Sequence, residues 1–179
     1  MTMASKMRSL LQRFRDDESA NPTVEFVILV PTVMWIVFSV LEAGWLMTQQ
    51  TMLNRGVNLA VRDLRIDRFP NPTADTVKER ICEYSVILRD CVNALHLELV
   101  PADDPISTAS ATCVDRTGNI EPLVNFVPGS RVVIEVMVLR ACFVMDPLIP
   151  GAGLGTQLVL DPSGAYQMVS YAAFVNEPS

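Results

Sequence analysis

The feature that most constrains this chain is an apolar run that follows a single glutamate near the N-terminus. The stretch from Phe26 to Leu41 has no charged residue, and its apolar character continues past Glu42 to Met47. About twenty helical residues, at roughly 1.5 Å each, cross a hydrocarbon core of roughly 30 Å. A cleaved secretory signal would have a shorter apolar core followed by small residues, whereas Trp45 and an amphipathic pattern follow here. The run therefore predicts a membrane helix that is retained.

The charges that flank this run predict its orientation. Four basic residues precede it, namely Lys6, Arg8, Arg13 and Arg15. Basic residues close to a span stay in the cytoplasm, and acidic residues have little influence. We therefore expect a single-pass protein of the inner membrane with its N-terminus cytoplasmic and residues 48–179 outside the cytoplasm, in the periplasm.

The overall charge excludes one class of function. The chain of 179 residues is 50% hydrophobic and has a net charge of −6. A general nucleic-acid binder needs a basic face to neutralise phosphates. We therefore expect no nucleic acid as a partner, while the apolar run predicts a lipid bilayer as one.

Helical periodicity continues beyond the apolar run without a breaker. The spacing predicts one helix from about Thr23 to about Arg68, roughly 65 Å long, with a kink at Pro31 and an end at Phe69-Pro70-Asn71-Pro72. Its second half should lay an apolar stripe against a folded head. The apolar residues that recur at helical spacing are Leu53, Val57, Ala60, Val61 and Leu64.

The remaining sequence predicts a small head of mixed α and β structure. Ala74, Val77, Ile81 and Tyr84 indicate a short second helix. Alternation from Leu95 to Leu99 indicates a strand with one wet face, and the β-branched run 131–144 indicates a central strand. Residues 158–160 and 165–175 indicate a hairpin around Asp161-Pro162-Ser163-Gly164. The expected fold class is α+β, with an antiparallel sheet of three or four strands packed on the outer half of the long helix.

These features together resemble a known family. A basic leader ends at the small residue Ala20, Asn21-Pro22 follows, and then Glu25-Phe26 opens the apolar helix. This arrangement resembles a type IV pilin precursor, and within that class the TadE-like pseudopilins of the Flp (Tad) group. Arg140-Ala141-Cys142 and the closing stretch 174–178 also look TadE-like. The resemblance covers most of the chain and is strongest at residues 13–50.

The resemblance implies a minor pilin or pseudopilin that a prepilin peptidase processes and that acts in assembly of a Flp-type pilus. Cleavage would fall between Ala20 and Asn21, which leaves Glu25 as the fifth residue of the mature chain. Ala20 departs from the glycine that is usual there. The implied partners are the peptidase, other pilins or pseudopilins and inner-membrane Tad assembly proteins, and the mature chain is expected at the membrane or with the pilus. The expected organisation is a leader (1–20), a transmembrane half-helix (21–47), an outer half-helix (48–70) and a head (71–179).

Glu25 also has a physical interpretation of its own. A carboxylate at the hydrocarbon boundary is costly unless it has a partner, and the freed α-ammonium of a neighbouring subunit would be one. Together with the resemblance, which singles out the Glu25-Phe26 pair, this makes both residues candidates for assembly. The alternative is that Glu25 faces the interface and complements the positive end of the helix, which is worth typically about 0.3–1 kcal/mol.

All four cysteines lie in the segment assigned to the periplasm. An even number of cysteines in an oxidising compartment favours disulfides. Of the three possible pairings we predict Cys82 with Cys91, at the end of the second helix, and Cys113 with Cys142, between a loop and the central strand. No metal site is expected, because there is no CxxC spacing and His96 is the only histidine.

Two other functions compete with assembly. The chain could be an uncut single-pass anchor whose head binds a partner, in which case Glu25 would be incidental. It could also be a membrane-tethered thiol enzyme with His96 as the base, yet no nucleophile elbow or phosphate loop accompanies that histidine. We therefore expect no catalytic residue and no cofactor.

Overall fold

In the computed structural model, residues 22–66, 68–69, 72–102, 113, 126, 135–148, 160 and 163–176 are described. The chain forms two compact units, Met1–Val40 and Leu41–Ser179. The described elements are the helices α1 (Pro22–Arg65), α2 (Ala74–Tyr84) and α3 (Cys91–Ala94) and the strands β1 (Leu95–Pro101), β2 (Glu135–Met145) and β3 (Tyr166–Asn176). The predicted α+β class is thus confirmed.

The long helix is present and ends slightly before the predicted position. We expected it to reach about Arg68, but α1 ends at Arg65. The Arg68 amide donates to the Asp63 carbonyl at 3.1 Å, and the Arg68 guanidinium lies 3.3 Å from the Asp63 carboxylate. These contacts tie Arg68 to the last turn of α1. The residue before Pro70 is itself disfavoured in helical conformation.

Helix α2 begins at a complete capping box. The Thr73 hydroxyl accepts from the Thr76 amide at 3.3 Å, and the Thr76 hydroxyl accepts from the Thr73 amide at 3.0 Å. Two N–H groups that would otherwise lack helical partners are thereby satisfied. Val77 and Ile81 have no exposed surface, which confirms the predicted second helix and its buried face.

The described strands form one antiparallel sheet in the order β1-β2-β3. Leu97 pairs with Ala141, and Ala141 pairs with Ser170, so β2 is the central strand, as predicted. The second arm of the predicted hairpin is β3, and Leu160 forms an isolated antiparallel bridge with Tyr166. Residues 131–134 and 158–159 of the predicted strands lie outside the described residues.

One face of the sheet packs on the second half of α1 and on α2. Alternate residues of all three strands share this face, because side chains in a strand alternate between faces. The cluster also includes α1 residues at helical spacing, which confirms the predicted apolar stripe. The most buried members are Leu53, Val57, Ala60, Val77, Ile81, Leu95, Leu97, Leu99, Met137, Leu139, Ala141, Phe143 and Met168.

The other face of the sheet contradicts the prediction that β1 has one wet side. Glu98 and Val100 are buried, and His96 is half-buried. The register places Glu98 opposite Arg140, and the Arg140 Nη1 atom lies 3.5 Å from the Glu98 Oε2 atom. The prediction fails because alternation shows which residues are polar but not which face is covered. Glu98 tolerates burial because Arg140 faces it from the next strand.

Candidate functional site

The first turn of α1 carries the two residues assigned to assembly. Glu25 is the acidic residue of that turn, where a carboxylate complements the positive end of the helix dipole. Glu25 is exposed, and the Phe26 side chain is 65% exposed. Ala20 and Asn21, the predicted cleavage site, lie outside the described residues. Both the site of cleavage and the assembly role of Glu25 stay predictions.

The helix that follows exposes apolar side chains around its circumference. None of its most apolar eighteen-residue window is buried, and the helix is long and apolar enough to cross a membrane. Folded monomers in water rarely expose apolar patches above a few hundred Å². Large exposed members are Val24, Phe26, Val27, Ile28, Leu29, Val33, Met34, Trp35, Ile36, Val37, Phe38, Val40 and Leu41.

Hydroxyl side chains within this apolar stretch bond to the helix itself. Thr32 Oγ1 donates to the Ile28 carbonyl at 3.2 Å, and Ser39 Oγ donates to the Trp35 carbonyl at 2.9 Å. Each hydroxyl proton has an acceptor four residues back, so neither residue needs water for that bond. The polar residues of the run are therefore compatible with an apolar solvent.

In the second unit, one stripe of α1 is buried although it contains polar residues. Glu42, Leu46, Gln49 and Leu53 follow one another at intervals of three and four residues, and none exceeds 9% exposure. The buried Oε1 atom of Gln49 has no hydrogen-bond donor in the portion of the chain that the structure describes. Sequence reasoning missed this burial because it assigned residues 21–47 to lipid, but the helical spacing of Glu42, Leu46 and Gln49 was a usable signal.

Helices α1 and α2 approach each other closely at Gly56. A Cβ atom on Gly56 would overlap the Ser85 hydroxyl and would lie 2.8 Å from the Ile81 carbonyl oxygen. The Ser85 hydroxyl donates to the Met52 carbonyl at 3.0 Å. A residue without a side chain is therefore required at this crossing.

A charged cluster joins the end of α1 to α2. The Tyr84 hydroxyl donates to the Asp63 carboxylate at 2.7 Å, and the Arg80 Nε atom lies 3.9 Å from the same carboxylate. The hydrogen bond to Asp63, burial and the Asp63 charge raise the pKa of the Tyr84 phenol, and Arg80 and Arg68 oppose them. The Arg80 guanidinium also lies over the Phe69 ring, at 5.8 Å.

Both disulfides have the pairing that the sequence predicts. Cys82 is bonded to Cys91 and Cys113 to Cys142, with Cα–Cα distances of 5.7 and 5.6 Å. All four cysteines of the chain are therefore oxidised. Each bridge should contribute about 2–4 kcal/mol, chiefly by restricting the unfolded chain. Two such terms are comparable to the net stability of a small domain, which is about 5–15 kcal/mol.

His96 lies on the same sheet face as the buried ion pair. It stands opposite Cys142, which is half of a disulfide. Burial, with a smaller effect from the Lys78 charge, lowers the pKa of His96. Within the described part of the chain, no three or more His, Cys, Asp or Glu side chains are grouped to hold a metal ion.

Comparison with known proteins finds a similarity in the long helix. Residues 23–62 match the TadE family model, described as TadE-like protein. The match covers almost the whole of α1, including the exposed apolar half and most of the half that packs on α2 and the sheet. No curated protein and no solved structure matches the chain.

Proposed function

We propose that this chain, whose residues 23–62 match TadE-like proteins, is a minor pilin or pseudopilin that acts in assembly of a Flp/Tad-type pilus. One observation carries the proposal. The matched helix begins with an exposed apolar surface after Glu25 and then, within the same helix, supplies the core of a folded unit. A helix that is both lipid anchor and core element suits a subunit that is held in a membrane before it assembles.

The leader and the cysteines support an extracytoplasmic head. The basic residues precede the helix, so the positive-inside rule keeps the N-terminus in the cytoplasm. Disulfides persist in oxidising compartments, and all four cysteines follow the helix. The chain is then a single-pass inner-membrane protein with residues 48–179 in the periplasm.

Maturation would set the chemical role of Glu25. Cleavage by a prepilin peptidase between Ala20 and Asn21 creates an α-ammonium group four residues before Glu25. The Glu25 carboxylate of one subunit can pair with the ammonium of a neighbour, which lowers the cost of holding either charge near lipid. This pairing would set the axial stagger of helices. In this function the chain is not an enzyme and needs no cofactor.

The test is the mass of the mature chain. The full-length protein is coexpressed with its cognate prepilin peptidase, extracted from membranes and measured by intact mass and N-terminal sequencing. We expect a chain that begins at Asn21. A matched Ala20→Arg variant should keep Met1, because a bulky charged residue does not fit beside the catalytic aspartates of the peptidase. A wild-type chain that still carries Met1 would rule out processing.

An uncut anchor with a partner-binding head is the second candidate. It is favoured by exposed apolar side chains on the face of the sheet opposite the core. Val136 and Val175 are direct cross-strand partners and are 46% and 38% exposed, and Tyr171 is 60% exposed. A photo-crosslinker at position 171 should capture another pilin if the first function holds. Capture of a non-pilin periplasmic protein by an unprocessed chain would favour the second.

A further inference from the structure

We propose that formation of the Cys113–Cys142 disulfide is the step that makes the head competent for assembly. A chain with reduced thiols would keep its membrane helix and its maturation site but would lack a stably closed sheet. This inference rests on the proposed function, because it requires residues 48–179 to reach an oxidising compartment.

The bridge is attached at the middle of the sheet. Cys142 lies in β2, is only 5% exposed, and stands in register between His96 of β1 and Val169 of β3. Cys113 belongs to none of the three strands, and its amide donates to the Gln167 side chain at 3.0 Å. The disulfide therefore connects a distant part of the chain to all three strands through their central member.

The described interactions on the two faces of the sheet differ in kind. The face toward α1 and α2 belongs to the apolar cluster described above. The face that carries Cys142 also holds the Glu98–Arg140 ion pair, whose two side chains are each 10% exposed. The attraction within a buried ion pair is largely offset by the cost of removing both charges from water. Among the described residues, the disulfide is the one covalent link between this face and a residue outside the sheet.

Loop length distinguishes this disulfide from the other one. Cys113 and Cys142 are 29 residues apart, whereas Cys82 and Cys91 are 9 apart. Closing the longer loop removes more freedom from the unfolded chain. The Cys82–Cys91 bridge also has local support, because the Leu88 amide donates to the Ser85 carbonyl at 3.0 Å and the Asn93 amide group donates to the Asp90 carboxylate at 2.6 Å.

The chemical step is thiol–disulfide exchange with a periplasmic oxidoreductase that carries a disulfide. One cysteine thiolate attacks that disulfide and forms a mixed disulfide, and the second thiolate then displaces the enzyme thiolate. The chain loses two protons and two electrons and gains one S–S bond, while the oxidant gains both electrons and becomes a dithiol. Cytoplasmic thiols stay reduced, so the head closes only after export.

Limited proteolysis of the full chain in membranes tests this order. Two matched double variants remove one bridge each: Cys113→Ala with Cys142→Val, which keeps an apolar side chain at the buried strand position, and Cys82→Ala with Cys91→Ala. Cleavage of the head should accelerate about tenfold or more in the first variant and clearly less in the second, because proteolysis follows the population of the open state. Wild-type protein treated with dithiothreitol should be cleaved at least as fast as the first variant, and reoxidation should restore resistance to the protease.

Intact mass and crosslinking of the same samples separate this inference from the proposed function. We expect the first variant to be cut after Ala20 normally but to lose its crosslinks to other pilins. Wild-type protection in the reduced chain or in the first variant would overturn the inference, as would normal incorporation of that variant. If the oxidised wild-type chain is never cut, the proposed function fails while the proteolysis result still decides the role of the disulfide in folding.

Discussion

Gly56 and Ser85 stand so close together that the space of a missing Cβ atom on the glycine is occupied by the serine hydroxyl. The same hydroxyl donates to the Met52 carbonyl one turn earlier in α1. The two helices are thereby fixed at one crossing by the absence of a side chain at Gly56 of α1 and by the short polar side chain of Ser85, which directly follows α2. This local fit makes the position unusually sensitive to small changes.

We expect Gly56→Ala to destabilise the second unit. Alanine is favoured over glycine in a helix by about 1 kcal/mol, but overpacking costs typically about 1–3 kcal/mol, and the Ile81 carbonyl, being backbone, cannot rotate away. Because the obstructing atom is backbone, the overpacking cost should lie in the upper part of that range, about 2–3 kcal/mol. The net loss should therefore be about 1–2 kcal/mol, measured by urea unfolding of the detergent-extracted chain. The control is Gly44→Ala, where nothing lies within 4 Å of the added atom. A Gly56→Ala chain as stable as wild type would show that the helices separate at no cost.

The Glu98–Arg140 pair should be costly to break and nearly neutral to replace. Arg140→Ala leaves a buried carboxylate without its cation and should cost about 3–5 kcal/mol. Glu98→Leu combined with Arg140→Met removes both charges and keeps side-chain volume, so it should lie within about 1 kcal/mol of wild type. The control is Glu83→Gln, since Arg80 and Glu83 form an exposed pair at 2.7 Å that should contribute less than about 1 kcal/mol. Equal losses in the single and double variants would argue that desolvation of this pair is unimportant.

The single histidine should make stability depend on pH. Burial lowers the pKa of His96 in the folded chain, so the unfolded chain binds a proton first as the pH falls below about 6.5. Stability from this group is complete above that pH and is lost as the pH falls toward the lowered pKa of the folded state. His96→Gln should flatten the unfolding free energy across this window. NMR titration of the imidazole should give a pKa below the ordinary value, and an ordinary or raised value would contradict the prediction.

The contribution of Tyr84 to stability should be lost as the pH rises, whereas that of His96 is lost as the pH falls. The hydrogen bond to Asp63 raises the pKa of the phenol, so stability from this group is present below about pH 10 and is lost as the pH rises through the raised value. Tyr84→Phe should lower stability at neutral pH and remove one late step from the tyrosinate absorbance titration. Tyr171→Phe is the control, because that ring is 60% exposed and lies over Arg140 without need of its hydroxyl. If Tyr171→Phe removed the late step of the absorbance titration and Tyr84→Phe did not, that step could not belong to Tyr84.

Glu25→Ala should separate anchoring from assembly. The apolar surface from Val27 onward is untouched, so membrane extraction and protease protection of the head should match wild type. Incorporation beside other pilins should fall, because the neighbouring α-ammonium loses its partner. Glu42→Ala is a useful comparison, since Glu42 is 3% exposed and should affect folding of the second unit instead. If Glu25→Ala were incorporated as well as wild type, Glu25 would not set the axial stagger of the helices.

Much of the fold could be predicted because the signals are local. The apolar run predicts the exposed apolar first half of α1. The spacing of Leu53, Val57 and Ala60 predicts the buried stripe of its second half. Proline positions predict approximately where it ends, and alternation with β-branched composition predicts β1 and β2. The cysteine pairing follows from placing Cys82 at a helix end and Cys142 in the central strand.

The rest depends on contacts between distant residues. Burial of Glu98 requires Arg140 to face it across the strands, and the period of a strand cannot show that. The need for glycine at position 56 appears only when α2 crosses α1. The role of Glu25 depends on a neighbouring subunit, so neither the sequence nor a single folded chain fixes it.

Gln50 donates to the Val169 carbonyl at 3.0 Å and to the Asn54 side chain at 3.1 Å. Nearby, Met52 and Gly56 contact Ser85 at the end of α2. These attachments all lie within about 9 Å along the axis of α1. We therefore infer that a force applied along the helix is transmitted to β3 and to α2 at the same point. The globular part should then yield in a single mechanical rupture. Pulling with optical tweezers between residue 41 and the C-terminus would show this as one force peak, and two well-separated peaks would mean that sheet and helix carry tension independently.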